Sequence, residues 1–186
     1  KIMEYTDCKL IEIEQNLPGF NQFIGSWFYR GDINFVVDVG PANSVFRLID
    51  ALPEMKIGTI DYVFLTHIHI DHAGGLAQFL EHFPMAKVIC HEKGIRHLAE
   101  PKKLWEGSVK VLGEISEIYG RLSPIEEKFF ISQNVTLNKD IVVIDTPGHA
   151  SHHLSFVYNG NLFAGEAGGN YLRVRGKDYL RPATPP

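Results

Sequence analysis

The sequence predicts an α/β fold, and three observations support this prediction. Short apolar runs rich in β-branched and aromatic residues recur at 33–39, 60–66 and 141–145. Segments with the apolar spacing of a helix follow several of these runs. Glycine and proline separate the two kinds of segment, as in Gly40-Pro41. Strands that alternate with helices in this way are typical of the α/β class.

The N-terminal half contains most of this alternation. Strands are predicted over 10–14 and 22–29, and the run at 33–39 suits a strand buried on both faces. Asn43 is predicted to cap a helix that ends at Pro53. The other elements predicted in this half are a strand at 60–66, a helix that reaches Pro84, a strand at 87–90 and a helix at 92–99.

Residues 101–127 differ from the rest, because they combine many charges with large side chains such as Trp105 and Tyr119. Their partly helical spacing predicts a helical insert within a single domain that spans 1–186. The insert is interpreted either as a flap over a site or as ordinary surface helices. Beyond it, strands are predicted at 129–131, 135–137, 141–145, 154–158 and 162–164, with Asn159-Gly160 as a hairpin turn and 181–186 as a loop.

Composition narrows the classes of function. The chain has 18 basic and 22 acidic residues and a formal net charge of −4, which gives no reason to expect a nucleic-acid partner or an anionic membrane. No apolar run approaches the roughly 20 residues needed to span a bilayer, and no signal peptide is predicted. Cys8 and Cys90 lie far apart without a CxxC pair, so we expect a reducing, cytoplasmic setting.

Six of the nine histidines fall into two tight clusters. The first cluster comprises His67, His69, Asp71 and His72, directly after an apolar strand. If the chain stays extended, residues 67, 69 and 71 point to one side, so that two imidazoles and a carboxylate converge. Such ligands suit zinc, with manganese or iron as alternatives. The structural alternative is a solvated histidine-rich turn.

The second cluster comprises His149, His152 and His153. A proline and a glycine end the preceding strand and present His149 at its C-terminal end, where α/β folds tend to place their sites. His149 can complete a three-histidine set with His67 and His69. A metal held by such a set, with one position open, binds a water molecule and lowers its pKa to about 7.

Weaker candidates surround the two clusters. One of His152 and His153 is a candidate for orienting a ligand, although His152 is expected to be a plain surface residue. Glu166 lies between glycines near a strand end, and is interpreted as a bridge between two metals or as a loop carboxylate. Asp38 is interpreted as a carboxylate that supports a ligand or as a turn residue. The remaining histidines, expected to be structural or surface residues, are His82, His91 and His97.

These residues resemble the metallo-β-lactamase superfamily, in order, along nearly the whole chain. The segment 66–75 (THIHIDHAGG) is similar to the highly specific signature THxHxDHxGG. Residues 37–41 (VDVGP) look like the early Asp-x-Gly strand end of the family. The segment 146–149 (TPGH), with His153 four residues later, is similar to the TPGHTxGH segment of glyoxalase II-like members. The pair 165–166 (GE) stands where the family usually has Gly-Asp.

The resemblance implies a four-layer αββα sandwich with a dinuclear metal site at one edge of its two sheets. Zinc is the implied cofactor, with one or two ions per chain. A hydroxide bridging the metals would attack an ester, thioester, lactone, amide or phosphodiester of a small-molecule substrate, and Asp71 would orient it as the catalytic residue. By position, the ligands of the first metal would be His67, His69 and His149, and those of the second Asp71, His72 and Glu166.

Two departures from the family pattern matter. Glutamate replaces aspartate at 166, and its extra methylene lengthens the reach, so that either the bridge is looser or only one metal binds well. No histidine follows His153, whereas the family usually supplies another ligand well downstream. We therefore interpret the sandwich as incomplete at its C-terminus. An incomplete sandwich exposes apolar surface, which favours a homo-oligomer.

The function predicted from the sequence is metal-dependent hydrolysis, and the 146–153 segment favours thioesterase or lactonase-like members. One alternative is a mononuclear iron enzyme similar to sulfur dioxygenases, which would need only the first set of ligands. The other is a metal-binding protein without catalysis, which the glutamate at 166 and the missing histidine motivate.

Overall fold

The structure of the chain is a computed structural model that describes residues 2–5, 7–20, 23–55, 57–134 and 140–183. The strands in these ranges are β1 (Ile2–Tyr5), β2 (Cys8–Glu12), β3 (Gly25–Tyr29), β4 (Phe35–Val37), β5 (Tyr62–Phe64), β6 (Lys87–Cys90), β7 (Phe130–Ser132), β8 (Ile141–Asp145), β9 (Leu154–Tyr158), β10 (Asn161–Phe163), β11 (Asn170–Val174) and β12 (Lys177–Arg181). The α-helices are α1 (Val45–Glu54), α2 (Ile70–Ala73), α3 (Leu76–His82), α4 (Glu92–Ala99), α5 (Lys102–Leu112) and α6 (Glu114–Tyr119).

The first sheet has seven strands in the order β1-β2-β3-β4-β5-β6-β7. Its first four strands pair antiparallel, whereas β4, β5, β6 and β7 pair parallel. Parallel strands bring their C-terminal ends to one edge of a sheet. The loops after β4 and β5 therefore meet at that edge, and these loops carry Asp38 and the histidine-rich segment 66–72.

The second sheet has three antiparallel strands in the order β10-β9-β8 and packs on one face of the first. Aromatic rings fill the space between the sheets: the Phe64 ring lies 4.5 Å from Phe35 and 4.7 Å from Phe156, between ring centroids. A separate core on the other face of the first sheet includes Leu48 of α1 and Phe79 of α3. The described residues therefore form helix, sheet and sheet layers in that order.

Replacing Phe64 with alanine is expected to lower the free energy of unfolding by about 3–5 kcal/mol, because the ring is fully buried between the sheets. The substitution would leave a cavity beside Phe35 and Phe156, the two rings that Phe64 contacts. Phe46→Ala is the matched control, since that ring is 49% exposed and its loss should cost no more than about 1 kcal/mol. Urea denaturation of both variants measures the difference, and equal losses would contradict this account of the core.

Most predicted elements are present, with the boundaries shifted by a few residues. β6, α4, β8 and β9 span the predicted residues. The Asn159-Gly160 turn is confirmed, since both residues have positive φ angles of 47° and 75° as a type I′ turn requires. The predicted strand at 135–137 lies outside the described residues.

The predicted cap of α1 is wrong. The N-terminal flanking residue of this helix is Ser44, not Asn43. Asn43 instead donates its side-chain amide to the backbone carbonyls of Glu117 and Ile118. The amide thus connects the start of α1 to α6 rather than to the first turn of its own helix. α1 also extends past Pro53 to Glu54.

The segment 101–127 is helical, as predicted, and forms α5 and α6. Leu104, Trp105 and Ile115 are partly buried against the helix-side core. The hairpin of β11 and β12 was not predicted from the sequence. Every side chain of β12 is exposed, so the segment lacks the alternation of apolar and polar residues that marks a half-buried strand.

No helix among the described residues is long and apolar enough to cross a membrane. Cys8 and Cys90 are both buried and free. Burial raises the pKa of the Cys90 thiol to about 12.

Candidate metal centre

His67 lies at the centre of the candidate site. It follows β5 and is 1% exposed. Its Nδ1 lies 3.0 Å from the hydroxyl of Thr66, so Nε2 faces the site. Nε2 is buried, and the described residues offer it no hydrogen-bond partner. A buried polar atom without a partner is costly, and a bound cation at this point would remove that cost.

His69 and His149 approach His67 from two different loops. His69 is in an extended conformation immediately before α2, with ψ of 151°. Its Nδ1 lies 2.9 Å from Nε2 of His149. The ligand atoms of His67, His69 and His149 all lie within 4.8 Å of one another. The structure thus brings together the three-histidine set proposed from the sequence.

His72 is oriented by Asp38. The backbone of Asp38 is left-handed, with φ of 57°, which turns its carboxylate back toward the chain end of β5. The carboxylate accepts from the backbone N–H of Thr66 at 2.8 Å and lies 2.8 Å from Nδ1 of His72. With Nδ1 held by Asp38, Nε2 of His72 is the nitrogen that a metal would bind, in exchange for its proton. Asp38 therefore supports the candidate ligand His72. This agrees with the first of the two interpretations given to Asp38 from the sequence.

A second compact group consists of His67, His72 and Glu166, whose ligand atoms also lie within 4.8 Å of one another. Glu166 follows β10 in a short 3-10 turn over Gly165–Gly168. Its Oε2 lies 3.5 Å from Nε2 of His67 and 2.8 Å from Nε2 of His149. The longer side chain of a glutamate at this position thus still places its carboxylate beside the histidines.

The expected direction of Asp71 is wrong. An extended chain would have placed it beside His67 and His69, but α2 already begins at Ile70. The carbonyl of His69 accepts from the backbone N–H groups of His72 and Ala73, which closes a helical turn. Asp71 nevertheless stays near the centre, because its Oδ2 lies 3.6 Å from Nε2 of His72.

The expected surface position of His152 is also wrong. The residue is half-buried, its ring centroid lies 6.0 Å from that of His69, and its Nε2 accepts from the backbone N–H of Ile68 at 3.3 Å. His153 is 1% exposed and contacts Thr146 and the backbone of Glu166. Thr66 and Thr146 were not predicted as site residues from the sequence, although Thr66 directly precedes His67 and Thr146 lies three residues before His149.

Burial and charge set different protonation states in the centre. Burial lowers the pKa of His67, and the neighbouring histidines lower it further. Burial also lowers the pKa of His69 to about 4. Burial alone would lower the pKa of His72, but Asp71 and Asp38 together outweigh it and raise that pKa to about 10. His67 and His69 are therefore neutral at pH 7, with lone pairs available to a cation.

An open cleft of about 680 Å³ adjoins the histidines. It is lined by residues 145–149 on one side and by Glu166 and Ala167 on the other. Gly169, Pro182 and Ala183 complete its wall. The cleft is large enough for a small molecule to reach His149 and Glu166.

The donor set fits a divalent metal such as zinc. It offers imidazole nitrogens and carboxylate oxygens, the ligands that zinc takes in proteins. The supporting contacts from Asp38 and Thr66 use Nδ1 of the histidines, which directs Nε2 toward the centre. The buried Nε2 of His67, without a hydrogen bond among the described residues, faces this set.

Two known proteins are similar to this chain in sequence. A metallo-beta-lactamase fold-containing protein of Sulfurisphaera tokodaii is 33% identical over 165 residues, which cover 83% of this chain and 58% of that protein. A hydroxyacylglutathione hydrolase of Photobacterium profundum is 29% identical over 155 residues, covering 82% of this chain and 49% of the hydrolase. The chain thus spans only about half to three-fifths of the length of these two relatives.

A solved structure supports the fold. The crystal structure of an archaeal metallo-beta-lactamase superfamily protein from Sulfolobus tokodaii superposes with a TM-score of 0.73 and 30% sequence identity, over 92% of this chain and 67% of that one. The family model of the metallo-beta-lactamase superfamily matches residues 23–186. Together with the position of its histidines, this match places the chain in the metallo-beta-lactamase superfamily, and its fold is that of the family.

Proposed function

We propose that the chain forms the metal-binding part of a hydrolase that cleaves a thioester, or a related ester or lactone, of a small molecule. The observation that carries this proposal is the pair of ligand groups around His67, which lie beside an open cleft. The Photobacterium profundum relative is named for a thioester substrate, which favours a thioester over a phosphodiester.

We assign the tighter of two zinc sites to His67, His69 and His149. Nδ1 of His67 already contacts Thr66, so only Nε2 can donate a lone pair, and it can serve one ion at a time. When two ions are bound, His72 and Glu166 would therefore need a further ligand for the second. Asp71 is close enough to supply it, since its Oδ2 lies 3.6 Å from Nε2 of His72.

A divalent metal, when bound, polarises a substrate carbonyl and lowers the pKa of a water molecule. The chain itself supplies orientation and a place for the proton. Asp71 is half-buried beside the cluster and carries the carboxylate proposed to orient the attacking water and accept its proton. The cleft between His149 and Glu166 would hold the substrate with its acyl group toward the histidines.

Turnover of model substrates tests the proposal. The zinc-loaded chain is expected to hydrolyse an acyl thioester faster than a phosphodiester, and His69→Ala should lower that rate at least about 100-fold. His97→Ala is the matched control, because this histidine is exposed on α4 and belongs to neither ligand group. Its rate should remain within about twofold of the wild type.

Three outcomes would overturn the proposal. Zinc binding without turnover of any ester, thioester, lactone or phosphodiester would favour a metal-binding protein without catalysis. A rate that His69→Ala leaves unchanged would assign the hydrolysis to another site or to a contaminant. Consumption of oxygen by an iron-loaded chain, with no hydrolysis, would favour the dioxygenase alternative.

A further inference from the structure

A continuous row of hydrogen bonds runs through the buried side of the site and ends at the backbone beside Glu166. Nε2 of His153 lies 3.2 Å from the backbone nitrogen of Glu166. Nδ1 of the same ring lies 2.8 Å from the hydroxyl of Thr146, which lies 3.0 Å from the hydroxyl of Ser155. Ser155 in turn donates to the carbonyl of Ala164 at 3.0 Å.

The direction of every bond in this row is determined. A carbonyl can only accept, so the single hydroxyl proton of Ser155 goes to Ala164. Ser155 must then accept from Thr146, whose own proton is thereby used. Thr146 must therefore accept from Nδ1 of His153, which makes the ring an Nδ1–H tautomer.

The bond at the other end of the row indicates the same tautomer of His153 independently. The backbone N–H of Glu166 can only donate, so Nε2 of His153 must accept and carry no proton. Both ends agree on a neutral ring with its proton on Nδ1. Burial also lowers the pKa of His153, which favours the neutral form.

We propose that His153 is a positioning residue that holds the backbone N–H of Glu166, and thereby aims the Glu166 carboxylate at the second metal position. The inference rests on the proposed function, because it concerns the second of the two proposed metal sites. His153 itself belongs to neither compact ligand group, and it acts through the backbone of its neighbour.

The packing around Gly165 explains how the ring can fix this backbone. Gly165 has φ of 55°, a conformation that side chains rarely adopt. A Cβ at this position would lie 2.8 Å from Nε2 of His153 and 2.8 Å from Cγ2 of Thr66. The imidazole is therefore packed directly against the backbone that leads into Glu166, without space for a side chain between them.

This anchor is important for a glutamate. Its side chain has one more rotatable bond than that of aspartate, so its carboxylate can reach more positions from a loosely held backbone. In the structure a carboxylate oxygen of Glu166 lies within 4.8 Å of the ligand nitrogens of His67 and His72, which form the second compact group. A fixed backbone N–H at Glu166 restricts the longer side chain to positions near this group.

Two amide substitutions test the hydrogen bonds of the two ring nitrogens of His153 separately. His153→Gln can place an amide oxygen near the position of Nε2 and keep an acceptor for Glu166, while it loses the bond to Thr146. His153→Asn can place an amide nitrogen near Nδ1 and keep the donor to Thr146, while Glu166 loses its acceptor. Both variants remove the same ring from the same buried position, so a general loss of packing affects both.

The first readout needs no metal. In the metal-free protein, we expect the Glu166 amide to exchange with solvent about tenfold faster in His153→Asn than in His153→Gln, as the loss of one hydrogen bond predicts. The ¹⁵N shifts of the wild-type His153 ring should identify the Nδ1–H tautomer. Equal exchange in the two variants, or an Nε2–H tautomer, would overturn the inference.

The second readout is zinc titration of the wild type and both variants. His153→Asn should weaken the lower-affinity zinc site about 10- to 100-fold and leave the higher-affinity site within about threefold. His153→Gln should stay close to the wild type at both sites. Equal weakening in both variants, or no weakening in either, would overturn the inference. Failure of the proposed function is recognised separately, since the wild type itself would then bind no zinc or hydrolyse nothing.

Discussion

Replacing His67 with alanine is expected to lower the zinc content of the chain to well below one ion and to abolish hydrolysis. His67 belongs to both compact ligand groups, so its loss removes a ligand from each. It is also the most deeply buried of the candidate ligands, and Nε2 is positioned by the contact of Nδ1 with Thr66. The loss of hydrolysis should exceed the roughly 10- to 100-fold effect of removing a supporting residue.

Elemental mass spectrometry and a thioester assay on the same preparation measure both effects. His82→Ala provides the control, because His82 is exposed at the end of α3 and belongs to neither ligand group; its Nδ1 lies 3.0 Å from the carbonyl oxygen of Gln78. The control should keep the zinc content and rate of the wild type. Wild-type zinc content in His67→Ala would place the metal elsewhere in the chain.

Asp38→Asn is expected to weaken the second metal site about 10- to 100-fold without unfolding the chain. In the wild type, one carboxylate oxygen accepts from the backbone N–H of Thr66, and the other accepts from the Thr66 hydroxyl and contacts Nδ1 of His72. An amide whose oxygen accepts from the Thr66 N–H presents its NH₂ group both to His72 and to the Thr66 hydroxyl, which can still accept. Nδ1 of His72 must then accept, and the ring proton moves to Nε2, the nitrogen that would bind the metal.

The left-handed backbone of Asp38 tolerates asparagine, so the fold should be retained. Asp61→Asn is the matched control, because Asp61 also accepts from a backbone N–H, that of Asn34, at the opposite end of β5. Zinc titration should reveal a weakened second site in Asp38→Asn and two unchanged sites in Asp61→Asn. Unchanged zinc affinity in Asp38→Asn would mean that the carboxylate does not set the tautomer of His72.

Much of the fold and part of the site could be predicted from the sequence, because local patterns determine them. The buried run that contains β4 and the run 141–145 are apolar enough to indicate strands directly. Asp38 and His149 follow these two strands, which belong to different sheets. His67, His69 and His149 were expected to meet because each histidine cluster follows a strand, and the structure brings the three together.

The remaining features depend on contacts that no local pattern records. Strand alternation predicted that Asp71 points to the same side as His67 and His69, but α2 begins at Ile70, one residue before Asp71. His152 looked like a surface residue because its partner, the backbone N–H of Ile68, is 84 residues away in sequence. The side chain of Asn43 was assigned to its own helix, whereas its partners lie in α6. For His152 and Asn43 a tertiary contact outweighed the local preference, whereas for Asp71 an early helix start replaced the extended chain.

The zinc content of the wild-type chain shows whether the histidines bind metal. Protein reconstituted with zinc and then freed of excess metal should be measured by elemental mass spectrometry. We expect one tightly held zinc ion at His67, His69 and His149, and a second, weaker ion that is lost first on dialysis against a chelator. A chain that holds no zinc after reconstitution, while its circular dichroism is that of a folded protein, would mean that these histidines do not form a metal site.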